Sequence, residues 1–306
     1  LRFVGRQFAA SERELMAMGT CEMRPLESDI APDAIVIGAM RAGTTSLYHL
    51  FRQSGQASVP ESKETDFFLT PVNMEVGASW YSRQFGKSNL PKIDFCPNYT
   101  KRDVFPDTWR LIKKHAGNAK LVFVARDPVK RVVSQYKHSI LFGEDLPSPS
   151  EWLDTKNAAH AINVSRYAYQ MQPFFDHWDR DDILIVDFAD MLKEPKSLVR
   201  VGQHVGISDP EALQTVELPS KNSAADLNAL PNWWHRMRST RLGHMVRQHA
   251  PRSLVENARN AIRSKSQKNV LPDFDASVIK SLQDQLSPDA EAFRKATNMR
   301  FEHWCV

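Results

Sequence analysis

The chain has 306 residues, 42% of them hydrophobic, with a formal net charge of +4. That is enough apolar material for one large α/β core, and no apolar run approaches the roughly 18 to 20 residues of a membrane-spanning helix. Only Cys21, Cys96 and Cys305 are present, an odd and scattered set that argues against a disulfide framework or a zinc site and favours a reducing compartment.

In chain order, an extension over residues 1–30 leads into the first buried strand, Ala34–Gly38, and then into the turn Ala39-Met40-Arg41-Ala42-Gly43-Thr44-Thr45-Ser46. A strand that runs through small residues into a helix is suited to gripping phosphate. The first amides of a helix lack intrahelical partners, the helix dipole makes them partly positive, and glycine lets an anion come close. Arg41 adds a full charge. Gly38 and Gly43 have the spacing of the phosphate loop of ATPases, but Thr44 stands where those proteins have lysine. The turn therefore reads as a phosphate grip that does not belong to an ordinary nucleoside triphosphatase.

The helix that follows is expected over Thr44–Arg52, with Leu47, Leu50 and Phe51 on one face and Gly55 as its stop. Further strands are expected at Ala57–Val59, Leu121–Ala125 and Ile183–Asp187, each apolar enough for a sheet covered on both faces. Asp127 and Pro128 form a cap and first-turn proline for a helix reaching about Phe142. Helices are also expected over Ser165–Trp178 and Pro195–Val205, and the last is expected to begin at Ser287-Pro288-Asp289. The alternation predicts an α/β, three-layer, P-loop-like fold: a central parallel sheet flanked by helices, with its ligand at the carboxyl ends of the strands. We read residues 31–306 as one domain carrying a basic helical insertion at about 217–268. Between His235 and Lys268, nine basic residues stand against Glu256 alone, so that stretch carries +8 and the rest of the chain −4. The charge calls for an anion, but no nucleic-acid reading motif accompanies it, so nucleic acid is not expected as a partner.

The stretch Leu121–Tyr136 repeats the logic of the first turn, because Arg126 leaves the end of a strand and Ser134 lies two turns into the next helix. Two such loops suit a ligand with phosphates at two positions. With Arg126-Asp127-Pro128-Val129-Lys130-Arg131-Val132-Val133-Ser134-Gln135-Tyr136 in view, the chain resembles the sulfotransferases that use 3′-phosphoadenosine 5′-phosphosulfate (PAPS), above all the heparan-sulfate-sulfotransferase-like group and its bacterial relatives. Three further elements carry the resemblance: Lys63-Glu64-Thr65-Asp66-Phe67-Phe68, Cys96-Pro97-Asn98-Tyr99, and the strand and helix of Ile183–Gly206.

The resemblance implies PAPS as sulfuryl donor, without a metal. Arg41, Ala42, Gly43, Thr44, Thr45 and Ser46 would hold the 5′-phosphosulfate, and Arg126 and Ser134 the 3′-phosphate. It also implies Glu64 as base toward an acceptor hydroxyl or amine, with Lys63 and Arg41 stabilising the departing phosphate. His138 is the competing base, its ordinary pKa lying nearer neutrality. Arg263, Lys265 and Lys268 fall where relatives place a cofactor loop, and the lack of cysteines there favours a cytoplasmic, bacterial-type enzyme over one of the Golgi lumen. Arg41 replaces the usual lysine of the first loop, exchanging a compact charge for a planar fork. The expected acceptor is a carbohydrate, lipid or other small metabolite. Two alternatives stand beside this reading: a P-loop nucleotide kinase, and a catalytically silent protein that binds nucleotide or makes peripheral contact with a membrane surface.

Overall fold

The computed structural model describes residues 26–27, 30–142, 144–216 and 271–306. Four strands form one parallel sheet: β1 (Ala34–Gly38), β2 (Ile93–Phe95), β3 (Lys120–Ala125) and β4 (Ile183–Asp187), in the order β2-β1-β3-β4. Every residue of β1 and β2, and every residue of β3 after Lys120, is buried, as the apolar runs predict for a sheet with helices on both faces. The helices that position the site are α1 (Thr44–Ser54) after β1, α2 (Pro128–Leu141) after β3, α3 (Lys156–Val164), α4 (Tyr167–His177), α5 (Phe188–Lys193) after β4, α6 (Pro195–His204) and α7 (Ala276–Thr297). The α/β, central-parallel-sheet architecture expected from the sequence is the one observed.

Local chemistry explains most boundaries. Gly55 ends α1 in the left-handed conformation at φ 65°. The Asp127 carboxylate accepts the Lys130 amide at the start of α2, and Pro128 occupies its first turn.

Two expectations are corrected and one strand is added. Ala57–Val59 is not a strand; only Ser58 bridges to Lys92. The true edge strand is β2, whose central Asp94 hides it from a search for apolar runs. Ser287-Pro288-Asp289 does not start the last helix: α7 begins at Ala276 and passes through Pro288. The buried stripe Val278, Leu282, Leu286, Ala290 and Phe293 continues across the proline, so packing overrides the missing amide. Asp289 caps a different helix, accepting from the amides of Ala168 and Tyr169 in the first turn of α4.

No helix among the described residues is long and apolar enough to cross a membrane. The basic insertion expected at about 217–268, with Arg263, Lys265 and Lys268, lies outside the described residues, as does most of the 1–30 extension.

Candidate functional site

The carboxyl ends of β1 and β3 open onto a cavity of about 590 Å³. Its walls include Arg41, Gly43, Thr44, Thr45 and Ser46 from the first loop, and Arg126 and Ser134 from the second. The two loops meet directly. Arg41 Nε donates to Ser134 Oγ at 3.4 Å, and Arg126 Nη1 donates to the Arg41 carbonyl at 3.0 Å. Ala42 is fully buried beneath the turn rather than on the cavity wall.

Gly43 precedes α1 with φ 89°, and no side chain caps the helix there, so its first amides are left for a ligand. A Cβ on Gly43 would lie 2.4 Å from the Phe188 ring. The glycine thus lets α5 pack against the loop. Phe188 also lies beneath the Arg126 guanidinium, 5.3 Å from its ring centre.

The electrostatics of this cavity are one-sided. Arg41 and Arg126 line it, with Arg131 fully buried behind them; none of the three forms a salt bridge among the described residues, although the Asp127 carboxylate lies near enough to Arg126 to favour its charge. Burial, followed by repulsion from Arg126 and Arg131, brings the Arg41 pKa down to about 10. Arg131 is fully buried, and desolvation lowers its pKa to about 10 as well. Two cavity-lining arginines without a salt bridge, beside helix amides that no side chain caps, fit a ligand carrying several negative charges.

Arg131 belongs to the second loop's motif, which by itself assigns it no task. Its guanidinium donates to Ser165 Oγ at 2.6 Å, the Ala161 carbonyl at 2.7 Å and the Met40 carbonyl at 3.2 Å. It thereby bolts the phosphate loop to the end of α3. Tyr167 supports the second loop, its hydroxyl donating to the Arg126 carbonyl at 2.8 Å.

Lys63 and Glu64 stand at the rim. Lys63 Nζ lies 2.7 Å from Glu64 Oε1 and 3.4 Å from Thr44 Oγ1, so this pair touches the first turn of α1. The Glu64 side chain keeps 40% of its exposure, against 17% for Lys63, so the carboxylate faces solvent while the ammonium faces the loop. Tyr99 is buried and its hydroxyl donates to Asp94.

His138 departs from its expected near-neutral pKa. Burial and the Arg41 charge lower it from 6.5 to about 4, and its ring stacks on Phe142 with centroids 4.2 Å apart. A neutral imidazole that resists protonation is a weaker base than the sequence suggests. Asp187, at the end of β4, caps α5 by accepting the Ala189 amide at 2.7 Å.

Sequence reasoning did not single out Phe188, Lys137, Ile279 and Cys305 as parts of the cavity wall. Ile279 and Cys305 come from the far end of the chain, where no local signal marks them. Phe188 follows β4 directly, and its place at the carboxyl end of a parallel strand was the available clue.

Comparison with known proteins bears on the family and the fold. A family model described as "Sulfotransferase domain" matches residues 31–270. The bifunctional heparan sulfate N-deacetylase/N-sulfotransferase 1 of Caenorhabditis briggsae is 22% identical over 188 residues, covering 55% of this chain and 22% of the relative. The heparan sulfate glucosamine 3-O-sulfotransferase 3B1 of Mus musculus is 26% identical over 187 residues, covering 58% and 46% respectively. The chain therefore spans less than half the length of these curated relatives. A crystal structure of a sulfotransferase from Alicyclobacillus acidocaldarius superposes with a TM-score of 0.59 at 17% identity, covering 89% of this chain and 98% of that one, and shares the fold.

Proposed function

The chain belongs to the sulfotransferase domain family, and from that premise we propose that it transfers a sulfuryl group from PAPS to an acceptor hydroxyl or amine, with a carbohydrate as the acceptor class. The observation that carries the reading is the single cavity formed by two cationic loops, joined where Arg41 meets Ser134 and Arg126. A donor with phosphate groups at two separate positions matches two such grips, whereas a nucleotide with one phosphate chain needs only one.

When bound, PAPS supplies a sulfuryl group and leaves as adenosine 3′,5′-bisphosphate. The amides and hydroxyls of Thr44, Thr45 and Ser46, with Arg41, hold the 5′ end. Arg126 and Ser134 hold the 3′-phosphate. Arg41 and Lys63 supply positive charge where negative charge grows during transfer, and because they are already in place they need little reorganisation. Sulfuryl transfer resembles phosphoryl transfer in its loose transition state, so positioning and electrostatics carry more of the work than a strong base. Glu64 accepts the acceptor's proton, its exposed carboxylate held against Lys63 at the rim.

The carbohydrate acceptor is drawn from relatives that modify heparan sulfate. The test is transfer of ³⁵S-sulfate from labelled PAPS to desulfated heparan sulfate, with chitooligosaccharides and simple phenols alongside. Label on the polysaccharide supports the carbohydrate class; label on phenol alone replaces it. PAPS left intact with every acceptor and in water overturns the enzymatic reading in favour of a silent binding protein.

A further inference from the structure

Asp94 lies in the middle of β2 with no solvent exposure, and three hydroxyls converge on it. Tyr81 and Tyr99 each donate to Oδ2 at 3.0 Å, while Thr65 Oγ1 reaches Oδ1 and Oδ2 at 3.2 and 3.1 Å. Among the described residues no cation pairs with it. A carboxylate buried without a cation is costly, and burial raises the Asp94 pKa to about 6 even though the hydroxyls pull it down. An apolar residue would fill an edge strand at less cost, so the location of the donors is informative.

Thr65 directly follows Glu64. The next residue, Asp66, is held in a left-handed conformation at φ 53° and accepts from Cys96 Sγ and Asn98 Nδ2, both at 2.9 Å. Two successive residues after Glu64 are thus fastened to β2 and to the turn that follows it. That strand pairs with β1, with Asp94 opposite Ile35, three residues before the phosphate loop opens at Gly38. Behind the segment, Phe67 stacks on Tyr81 with centroids 4.4 Å apart, and Phe68 meets both Tyr81 and Tyr99 edge-on or tilted. The rings hold the tyrosine hydroxyls on the carboxylate. A continuous path of short contacts runs from the strand that feeds the phosphate loop to the residue beside Glu64.

We propose that Asp94 is a positioning residue for sulfuryl transfer: through the Thr65 hydroxyl it fixes the Lys63-Glu64 segment against the phosphate loop. This rests on the reading of Glu64 as proton acceptor given above. A group that only fills the core would spread its effect over the whole fold, whereas a positioning group acts on residues 62–68 and on turnover.

The test compares Asp94→Asn, Thr65→Val and Thr65→Ser with the unaltered chain and with Glu64→Gln. Amide hydrogen exchange over residues 62–68 is read without any need for activity. Turnover of PAPS is followed with desulfated heparan sulfate and, in parallel, with water as acceptor. In Asp94→Asn and Thr65→Val we expect faster exchange confined to 62–68, unchanged affinity for adenosine 3′,5′-bisphosphate, and a fall in kcat of about ten- to a hundredfold with KM for PAPS held. Thr65→Ser, which keeps the donor, recovers most of that loss. If Asp94→Asn does not fold, the two Thr65 variants decide. Unchanged exchange over 62–68, or faster exchange with kcat intact, overturns the proposal. Full turnover in Glu64→Gln would overturn the reading of Glu64 instead, and the exchange data would show which of the two had failed.

Discussion

The two halves of the candidate site handle charge in opposite ways. At the donor end, Arg41 and Arg126 line the cavity with Arg131 buried behind them, close enough for their charges to oppose one another, and among the described residues no salt bridge joins any of them to a carboxylate. At the rim, Lys63 is paired with Glu64, and Asp94 behind them is wrapped by three hydroxyls. Unneutralised cations suit a surface whose anion arrives with the ligand. Satisfied charges suit a surface whose task is to hold one geometry. On the proposed reading, donor binding rests mainly on one set of residues and proton transfer on the other, and substitutions should separate them.

The largest effect is expected at Glu64. Glu64→Gln should lower kcat by about 10²- to 10⁴-fold, the span typical of a positioned base, with bisphosphate affinity unchanged in a calorimetric titration. Loss of affinity equal to the loss of rate would erase the division between the two ends. Arg126→Ala should do the converse. It removes a charge-assisted contact worth about 1.5 to 3 kcal/mol, so the bisphosphate should bind roughly ten- to a hundredfold more weakly, with kcat less affected once PAPS saturates.

Gly43→Ala should sharpen the donor side. At φ 89°, with Phe188 ring carbons 2.4 and 2.6 Å from the new Cβ, the substitution should cost about 1 to 3 kcal/mol, read as a lower Tm. Bisphosphate affinity should fall as well, because relieving the clash moves the loop.

The smallest expected effect is a pH slope. His138 has a folded pKa of about 4 against an ordinary 6.5, so the unfolded chain takes up its proton first. The stability His138 contributes is fully present above pH 6.5 and is lost as pH falls toward 4. Asp94 acts in the opposite sense, since its pKa rises from 3.8 to about 6 on folding. Between those values it makes the fold more stable as pH falls. The two slopes oppose each other, so the difference in urea midpoint between the unaltered chain and His138→Gln isolates the histidine. That difference should shrink between pH 6.5 and 4.5; a constant difference would contradict the burial and Arg41 field assigned to His138.

How much of this was legible in the chain depends on how local each feature is. The turn after β1, the cap at Asp127-Pro128 and the place of Arg126 at the end of β3 are written within a few residues, and all were readable. β2 was not, because a strand of three residues with an acid at its centre has no apolar run to find. The start of α7 was misplaced because Ser287-Pro288-Asp289 has the residue types of a helix start, and only the buried stripe on both sides shows that the helix continues. Lys63-Glu64 was visible as a pair, but its fastening to Asp94 joins residues about thirty positions apart and exists only once β2 lies beside β1. Arg131 shows the same limit. Its place in the motif was plain, and its role as a bolt depends on the Ala161 and Met40 carbonyls that folding brings to it.

The most direct test of the two-grip account is calorimetric titration with adenosine 3′,5′-bisphosphate, adenosine 5′-phosphate and magnesium-ADP, on the unaltered chain and on Arg126→Ala. The account predicts that the bisphosphate binds tightest, needs no magnesium, and loses its advantage over adenosine 5′-phosphate when Arg126 is removed. Magnesium-ADP binding as tightly as the bisphosphate, with Arg126→Ala indifferent to the 3′-phosphate, would contradict it.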